Sequence, residues 1–343
     1  SPSLDHLPFM GGGADVSLTI EQQIPLSSIR QHRGEAALAG IDRLRADVHR
    51  SALDVAVEAA NAFVMLHERR RMATLVVEQL QFARDIVTAA NARYASATAP
   101  QSDVLRAEVE VARLTAVSRS IAGQVRAAEA MLNAAIARDA TLPIPDLASP
   151  TLSGPVPAWP SIKEHLARRP ELIAGRADIA RAAADIEVMR DMFRPMATIR
   201  TGLSYTMTNG NGWMAMAGIT LPIWRDRLRA GVAEAEAMRA MAEADLRAMS
   251  RMVEGEAAAA AAALEAARER QRAIVGDVLP RARMAITPAV ASYASGQLPL
   301  VSVIEAVQAL WLVLSELIDA DSQAAFAWAR LGRAIGSYEA IIP

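Results

Sequence analysis

Five histidines, fifteen methionines and no cysteine bound the chemistry open to this chain. Without cysteine there is no disulfide, no thiolate metal site and no thiol nucleophile. His6, His32, His49, His67 and His165 fall at no spacing that would bring two imidazoles to one metal ion. Where a carboxylate is near, as in His32 with Glu35 or His67 with Glu68, a solvated polar pair is the simpler reading. Met189, Met192, Met196, Met207, Met214 and Met216 crowd one region. Their thioethers suit Cu(I) or Ag(I), but methionine is equally a filler of cores and lipid faces. No Gly-rich phosphate loop and no nucleophile motif occurs. The residues therefore predict no enzyme, no cofactor and no resident metal.

The polar groups that remain must act through where they stand, which turns attention to the elements that position them. Of 343 residues, 52% are apolar and only 4% aromatic; 36 basic side chains nearly balance 38 acidic ones. That balance carries no footprint for nucleic acid. An apolar content made mostly of Ala, Leu, Val, Ile and Met predicts closely packed helices. We read no stretch of about 18 apolar residues that would span a membrane as a helix.

Residues Ser1 to Ala14 are Gly-rich, and Val16–Glu21 alternates apolar and polar side chains as a strand does, ending at Ile24-Pro25. From Ser27 to Ser96 there is no proline, and Leu44, Val48, Leu53, Val57, Phe63 and Leu66 recur at helical steps. Seventy helical residues would span about 100 Å, a length that implies a coiled coil or duct. Pro100 suits the first turn of a second helix, which runs to Arg138 and completes an antiparallel helical hairpin. Thr141 to Pro160 holds Pro143, Pro145, Pro150, Pro155, Pro157 and Pro160 and is the clearest linker.

A helix is expected over Ser161–Met192, and then a β-hairpin. Ala197–Met207 and Trp213–Ile223 flank Asn209-Gly210-Asn211-Gly212, a strong hairpin signal. One face is mostly apolar; Thr198, Arg200, Gly202, Ser204 and Thr206 form the other. Strands of about ten residues have membrane length, and Tyr205 and Trp213 sit where an aromatic girdle would lie. A long helix over Asp226–Ser295 is expected to be kinked or interrupted by Pro280 and Pro288. Gly296–Pro299 turns the chain into a last helix, to Ile335.

The chain also resembles itself. Ile24-Pro25-Leu26 matches Leu221-Pro222-Ile223 at a shift of 197, as do Arg30 with Arg227 and Gly34 with Gly231. Tyr94-Ala95-Ser96 matches Tyr293-Ala294-Ser295 at a shift of 199, with Pro100 meeting Pro299 and Val104 meeting Val303. We read residues 1–140 as a first copy, 141–160 as the linker and 161–343 as a second copy with a two-fold internal repeat. Only the second copy opens with a helix and strand, so a segment ahead of Ser1 is expected, with residues 1–13 at most a remnant of its strand.

This order of elements resembles the outer-membrane factors of tripartite efflux pumps, the TolC family. Three segments carry the resemblance: Gln22-Gln23-Ile24-Pro25-Leu26, Gln101-Ser102-Asp103-Val104-Leu105-Arg106-Ala107, and Tyr293-Ala294-Ser295-Gly296 with Val303-Ile304-Glu305-Ala306. The first, with Leu105-Arg106, is closest to the heavy-metal branch.

The resemblance implies a mainly helical fold. Helical hairpins would form an α-barrel tunnel across the periplasm, and strands from a homotrimer would share a 12-stranded barrel in outer-membrane lipid. It implies a passive conduit for metal ions or small toxic compounds, with a periplasmic adaptor and an inner-membrane pump as partners. The tip that meets the adaptor would be Ala97, Thr98, Ala99, Pro100, Gly296, Gln297, Leu298 and Pro299. Asp103, Arg106, Ser302 and Glu305 would line the entrance as a gate, and Thr198, Arg200, Ser204 and Thr206 the barrel lumen. The competing expectation is a soluble periplasmic coiled-coil adaptor.

Overall fold

The computed structural model describes residues 16–150, 155–206 and 210–337. The expectations for residues 1–14, for His6, for Met207 and for Asn209 of the hairpin turn fall outside the described residues. The elements in order are β1 (Val16–Pro25), α1 (Ile29–Ala95), α2 (Gln101–Ala135), α3 (Trp159–Leu166) and α4 (Pro170–Asp191). Then come β2 (Met196–Thr206), β3 (Gly210–Thr220), α5 (Arg225–Ala273), a π-helical turn (Ile274–Val278), α6 (Leu279–Ala294) and α7 (Leu300–Ile335). They divide into two units, one of residues 1–48 with 170–250 and the other of 49–169 with 251–343.

In the first unit the three strands form one antiparallel sheet in the order β1-β2-β3. Glu21 stands opposite Arg200, and Gly202 is flanked by Thr19 and Met214. One face of this sheet carries Leu18, Ile20 and Ile24 of β1, Ile199, Leu203 and Tyr205 of β2, and Trp213 and Ile219 of β3. All of them are exposed, Trp213 at 73%. The other face carries Ser17, Thr19, Glu21 and Gln23 beside Thr198, Arg200 and Ser204. Gly202 is needed there because a Cβ at that position would come within 2.8 Å of the Leu18 carbonyl oxygen.

In the second unit α1, α2, α6 and α7 pack along seams of small residues. On α2 the buried positions Ala107, Leu114, Ile121 and Ala128 recur every seven residues, the period of a left-handed coiled coil. α1 does the same with Val76, Ala83 and Ala90. A buried group of Ala90, Val104, Ala107, Tyr293, Leu300, Val303 and Val307 lies next to the interhelical turns. Phe82 meets Trp311 edge to face there, with ring centroids 5.7 Å apart. Farther along, Arg70 fastens the linker, donating to the carbonyls of Ile144 and Pro145 at 2.6 Å each and to Glu129 at 2.8 Å.

Three expectations need correction. The helix over 161–192 is two helices, because Pro170 lacks an N–H and disfavours helical backbone at Arg169. α3 closes with the Arg169 N–H donating to Leu166, and α4 starts afresh at Pro170. The helix over 226–295 is interrupted upstream of Pro280, where the ladder widens into the π-helical turn, whereas Pro288 sits inside α6 without ending it. Finally, α7 does contain an 18-residue window with mean hydropathy 1.8, only 17% of it buried in this chain. By length and composition it could cross a membrane.

Candidate functional site

Two places collect the polar residues singled out by sequence, one in each unit. The turn after α1 and the turn after α6 are closed by the same hydrogen bonds. After α1, the Ala97 N–H donates to Tyr94 at 2.9 Å and the Thr98 N–H to Arg93 at 2.9 Å. After α6, Gly296 donates to Tyr293 at 3.0 Å and Gln297 to Ser292 at 2.8 Å. This is the Schellman pattern, which needs a left-handed residue. Ala97 takes it with φ 55° and Gly296 with φ 77°. Pro100 and Pro299 then open α2 and α7 in extended backbone, at φ −73° and −71°. Each is the N-cap of its helix, one position earlier than the first-turn place expected of Pro100.

Arg93 joins the two turns. Its Nη1 donates to the Tyr293 carbonyl at 2.7 Å and its Nη2 to the Thr98 carbonyl at 3.3 Å. The guanidinium also lies 4.4 Å from the centre of the Tyr293 ring. Tyr293 is 9% exposed beneath it; Tyr94, its match at the shift of 199, is 48% exposed. Sequence reasoning passed over Arg93. The signal was a charged residue where the matching segment has none, since Arg93 aligns with Ser292 just ahead of the shared Tyr-Ala-Ser.

The expected gate residues follow these turns at matched places: Asp103 with Ser302 and Arg106 with Glu305. The N–H groups of Asp103 and Ser302 each donate to the proline three residues earlier at 3.1 Å. Arg106 and Glu305 are exposed, and among the described residues no ion pair joins any of the four. Farther along α2, Glu110 pairs with Arg113 at 2.5 Å. The Arg113 hydrogen bond holds the Glu110 carboxyl below the usual carboxylate range, against the opposing effect of burial.

In the sheet, Arg200 is paired with Glu21 across β1 and β2. Thr198 and Ser204 share that face, half-buried. Thr206 closes β2, and its side chain lies outside the described residues. Glu21 was not among the sequence candidates, although its place in the Val16–Glu21 alternation puts it on the polar side.

The structure pairs His32 with a carboxylate far along the chain and not with Glu35. His32 bonds Asp191 at 2.9 Å, and Glu35 instead accepts from Gln31. His67 lines a polar cavity of about 1000 Å³ with Arg71, Glu265, Arg268, Arg272 and Asp321. Burial lowers its imidazole pKa, helped by the charge of Arg71, while burial raises the pKa of Glu68. Among the described residues no cluster of three or more His, Cys, Asp or Glu could hold a metal ion. Met189 packs at Gly231, while Met214 and Met216 stand exposed on the polar face of the sheet.

Comparison with known proteins bears on this arrangement. A family model described as outer membrane efflux protein matches residues 161–337. A membrane protein from Pseudomonas aeruginosa aligns with a TM-score of 0.81 at 21% identity, covering 94% of this chain and 83% of that one. The outer membrane protein VceC from Vibrio cholerae aligns at 0.78 and 19% identity, covering 98% and 83%. CusC, whose structures concern folding and transmembrane channel formation, aligns at 0.82 and 15% identity, covering 98% and 81%. No curated protein matches this chain in sequence.

Proposed function

Since the chain belongs to the outer membrane efflux protein family, we propose that it is the outer-membrane duct of a tripartite pump, fed by an inner-membrane transporter through a periplasmic adaptor. The family comprises passive channels and not enzymes, and the protein resides in the outer membrane and extends into the periplasm. That membership sets aside the soluble adaptor alternative.

In this reading three copies share one 12-stranded barrel with four strands from each, three of which are the described β1, β2 and β3. The observation that carries it is the two-sided sheet, with exposed large apolar side chains on one face and hydroxyl, amide and paired charged groups on the other. The first face suits lipid and the second a wet lumen. Among the described residues β1 and β3 each have a single neighbour, and an open strand edge is not tolerated in hydrocarbon. Strands from other copies supply the closure. The exposed Leu44, Val48, Leu105 and Val109 on the helices give those copies apolar surface to pack on.

The turns Ala97–Pro100 and Gly296–Pro299 are the tip that meets the adaptor, and Asp103, Arg106, Ser302 and Glu305 line the entrance behind it. Arg93 links the two hairpins at their turns, so opening requires its bond to Tyr293 to break. The cargo is metal ions or small toxic compounds. The likeness of Gln22–Leu26, read with Leu105-Arg106, to the heavy-metal branch favours metals.

Light scattering in mild detergent tests the assembly: three chain masses that precipitate on detergent removal are expected. A stable detergent-free monomer of the complete protein would overturn the shared barrel.

A further inference from the structure

The three strands contain one acid and one base among all their residues, Glu21 and Arg200. The structure sets them opposite each other in register and joins them by hydrogen bonds. They stand on the polar face, where their β1 and β2 neighbours Thr19, Gln23, Thr198 and Gly202 carry no charge, nor do Ser17 and Ser204 beyond them or Pro25 and Met196 at the end. β3 adds Gly212, Met214, Met216 and Gly218 to that face, none of them charged. Both partners are partly open to solvent, with 45% of the Arg200 side chain and 35% of the Glu21 side chain exposed.

An ion pair so exposed contributes little to stability. Strand register is already specified by the alternation of the two faces. What the pair does settle is the fixed charge of this wall. Two opposite charges in contact cancel at distances beyond their own separation, so a passing ion meets a neutral surface. Rings of like charge in a pore select ions, and low-dielectric walls focus such fields.

We propose that Glu21 and Arg200 determine the ion preference of the membrane part of the duct by neutralising each other. The inference rests on the channel reading above and deepens it. Removing either partner leaves one uncompensated charge per chain, repeated around the lumen by each copy. Loss of Glu21 makes the wall positive, and loss of Arg200 makes it negative.

The test is the reversal potential of the complete protein in planar bilayers under a potassium chloride gradient. Glu21→Gln is expected to shift the permeability ratio toward chloride, on the order of twofold or more. Arg200→Gln should shift it toward potassium. The exchanged pair Glu21→Arg with Arg200→Glu should return the ratio toward that of the unaltered protein. Raising the salt should shrink every shift, since the Debye length falls from about 10 Å at 0.1 M to about 3 Å at 1 M. Single variants that conduct with an unchanged ratio would overturn the proposal.

Residues 1–343 contain no cysteine, so a cysteine placed among them gives a second arm in case the single variants do not assemble. Thr19→Cys, on the same face, can be labelled after assembly with a cationic or an anionic thiosulfonate. Opposite shifts from the two labels are expected if this face lines the lumen and its resting charge is balanced. Labels that leave conductance unaltered would overturn the channel reading of this face. Labels that change conductance but not ion preference would overturn only the role of charge.

Discussion

The turn after α1 and the turn after α6 follow one backbone plan with different residues. Both close with the same hydrogen bonds, both place one residue in left-handed backbone, and both open the next helix from an extended proline. They differ where side chains begin. The first places Ala97 where the second has Gly296, and the first brings Arg93 where the second has Ser292. One hairpin thus reaches out to clasp the other, and the second has no means of reciprocating. Backbone geometry tolerates sequence change at such a turn, whereas the polar link between the two turns comes from Arg93, added to the apolar packing of Phe82, Ala90 and Val104 against Tyr293, Val303 and Trp311.

Arg93→Ala should have the largest effect, since it removes both hydrogen bonds to carbonyls and the contact with the Tyr293 ring. We expect a loss of roughly 1–2 kcal/mol, read as a lower apparent unfolding temperature in detergent, together with higher single-channel conductance. Unchanged conductance would mean that the clasp does not restrain the tip.

Next come opposite substitutions at matched positions. Gly296→Ala should destabilise by about 1 kcal/mol because a Cβ is strained in left-handed backbone. Its nearest neighbour, Arg93 Nη2 at 3.9 Å, leaves room, so crowding adds nothing. Ala97→Gly should stabilise by a smaller amount, about 0.5 kcal/mol, after the entropy of glycine in the unfolded chain is subtracted. Paired unfolding scans check the sign; shifts in the same direction for both would refute the equivalence of the turns.

The smallest effect is pH dependence confined to the first hairpin. Glu110 and Arg113 match Ala309 and Leu312 at the shift of 199, so the second hairpin has no such pair. The Glu110 pKa is lowered in the fold. Its stabilisation is therefore complete above the ordinary carboxylate pKa and is lost as pH falls through the folded value. Glu110→Gln should flatten the acid limb of stability, measured as unfolding temperature against pH from neutral downward. An acid limb of undiminished slope would assign that dependence to other groups.

How much of this was legible in the sequence depends on side-chain size. Helices, turns and the hairpin followed from proline placement, the Asn-Gly signal and alternation, and β2 and β3 fall within a few residues of their expected bounds. The buried seam was not visible in the same way. Of the large apolar residues read on α1, Leu53 and Leu66 are buried, but Leu44 and Val48 are 63% and 68% exposed, while Ala46 between them is 3% exposed. Alanine is a weak hydrophobic signal, yet it is what lets helices approach closely, so the seam is hidden among residues that look neutral. Leu44 and Val48 point where one chain alone has nothing to cover them. Arg93 and Glu21 escaped notice for another reason: each acts through a partner some 180 to 200 positions away, and only pairing across elements makes that partner visible.

The π-helical turn Ile274–Val278 has a bearing on how such a chain can change over time. The match between the two halves runs at 197 near Gly34 and Gly231 but at 199 by Tyr94 and Tyr293, so the later half carries extra length within its long helix. An insertion into a plain helix rotates everything beyond it by about 100° per residue, which would turn the seam of α6 away from α7. A widened turn takes up one of the two added residues locally and so reduces the rotation that follows. Ile274 and Leu279, at either end of the turn, are both buried against α7 residues Val313 and Ala320. The turn therefore acts as a splice, allowing one lineage of the helix to lengthen without losing its grip on its neighbour.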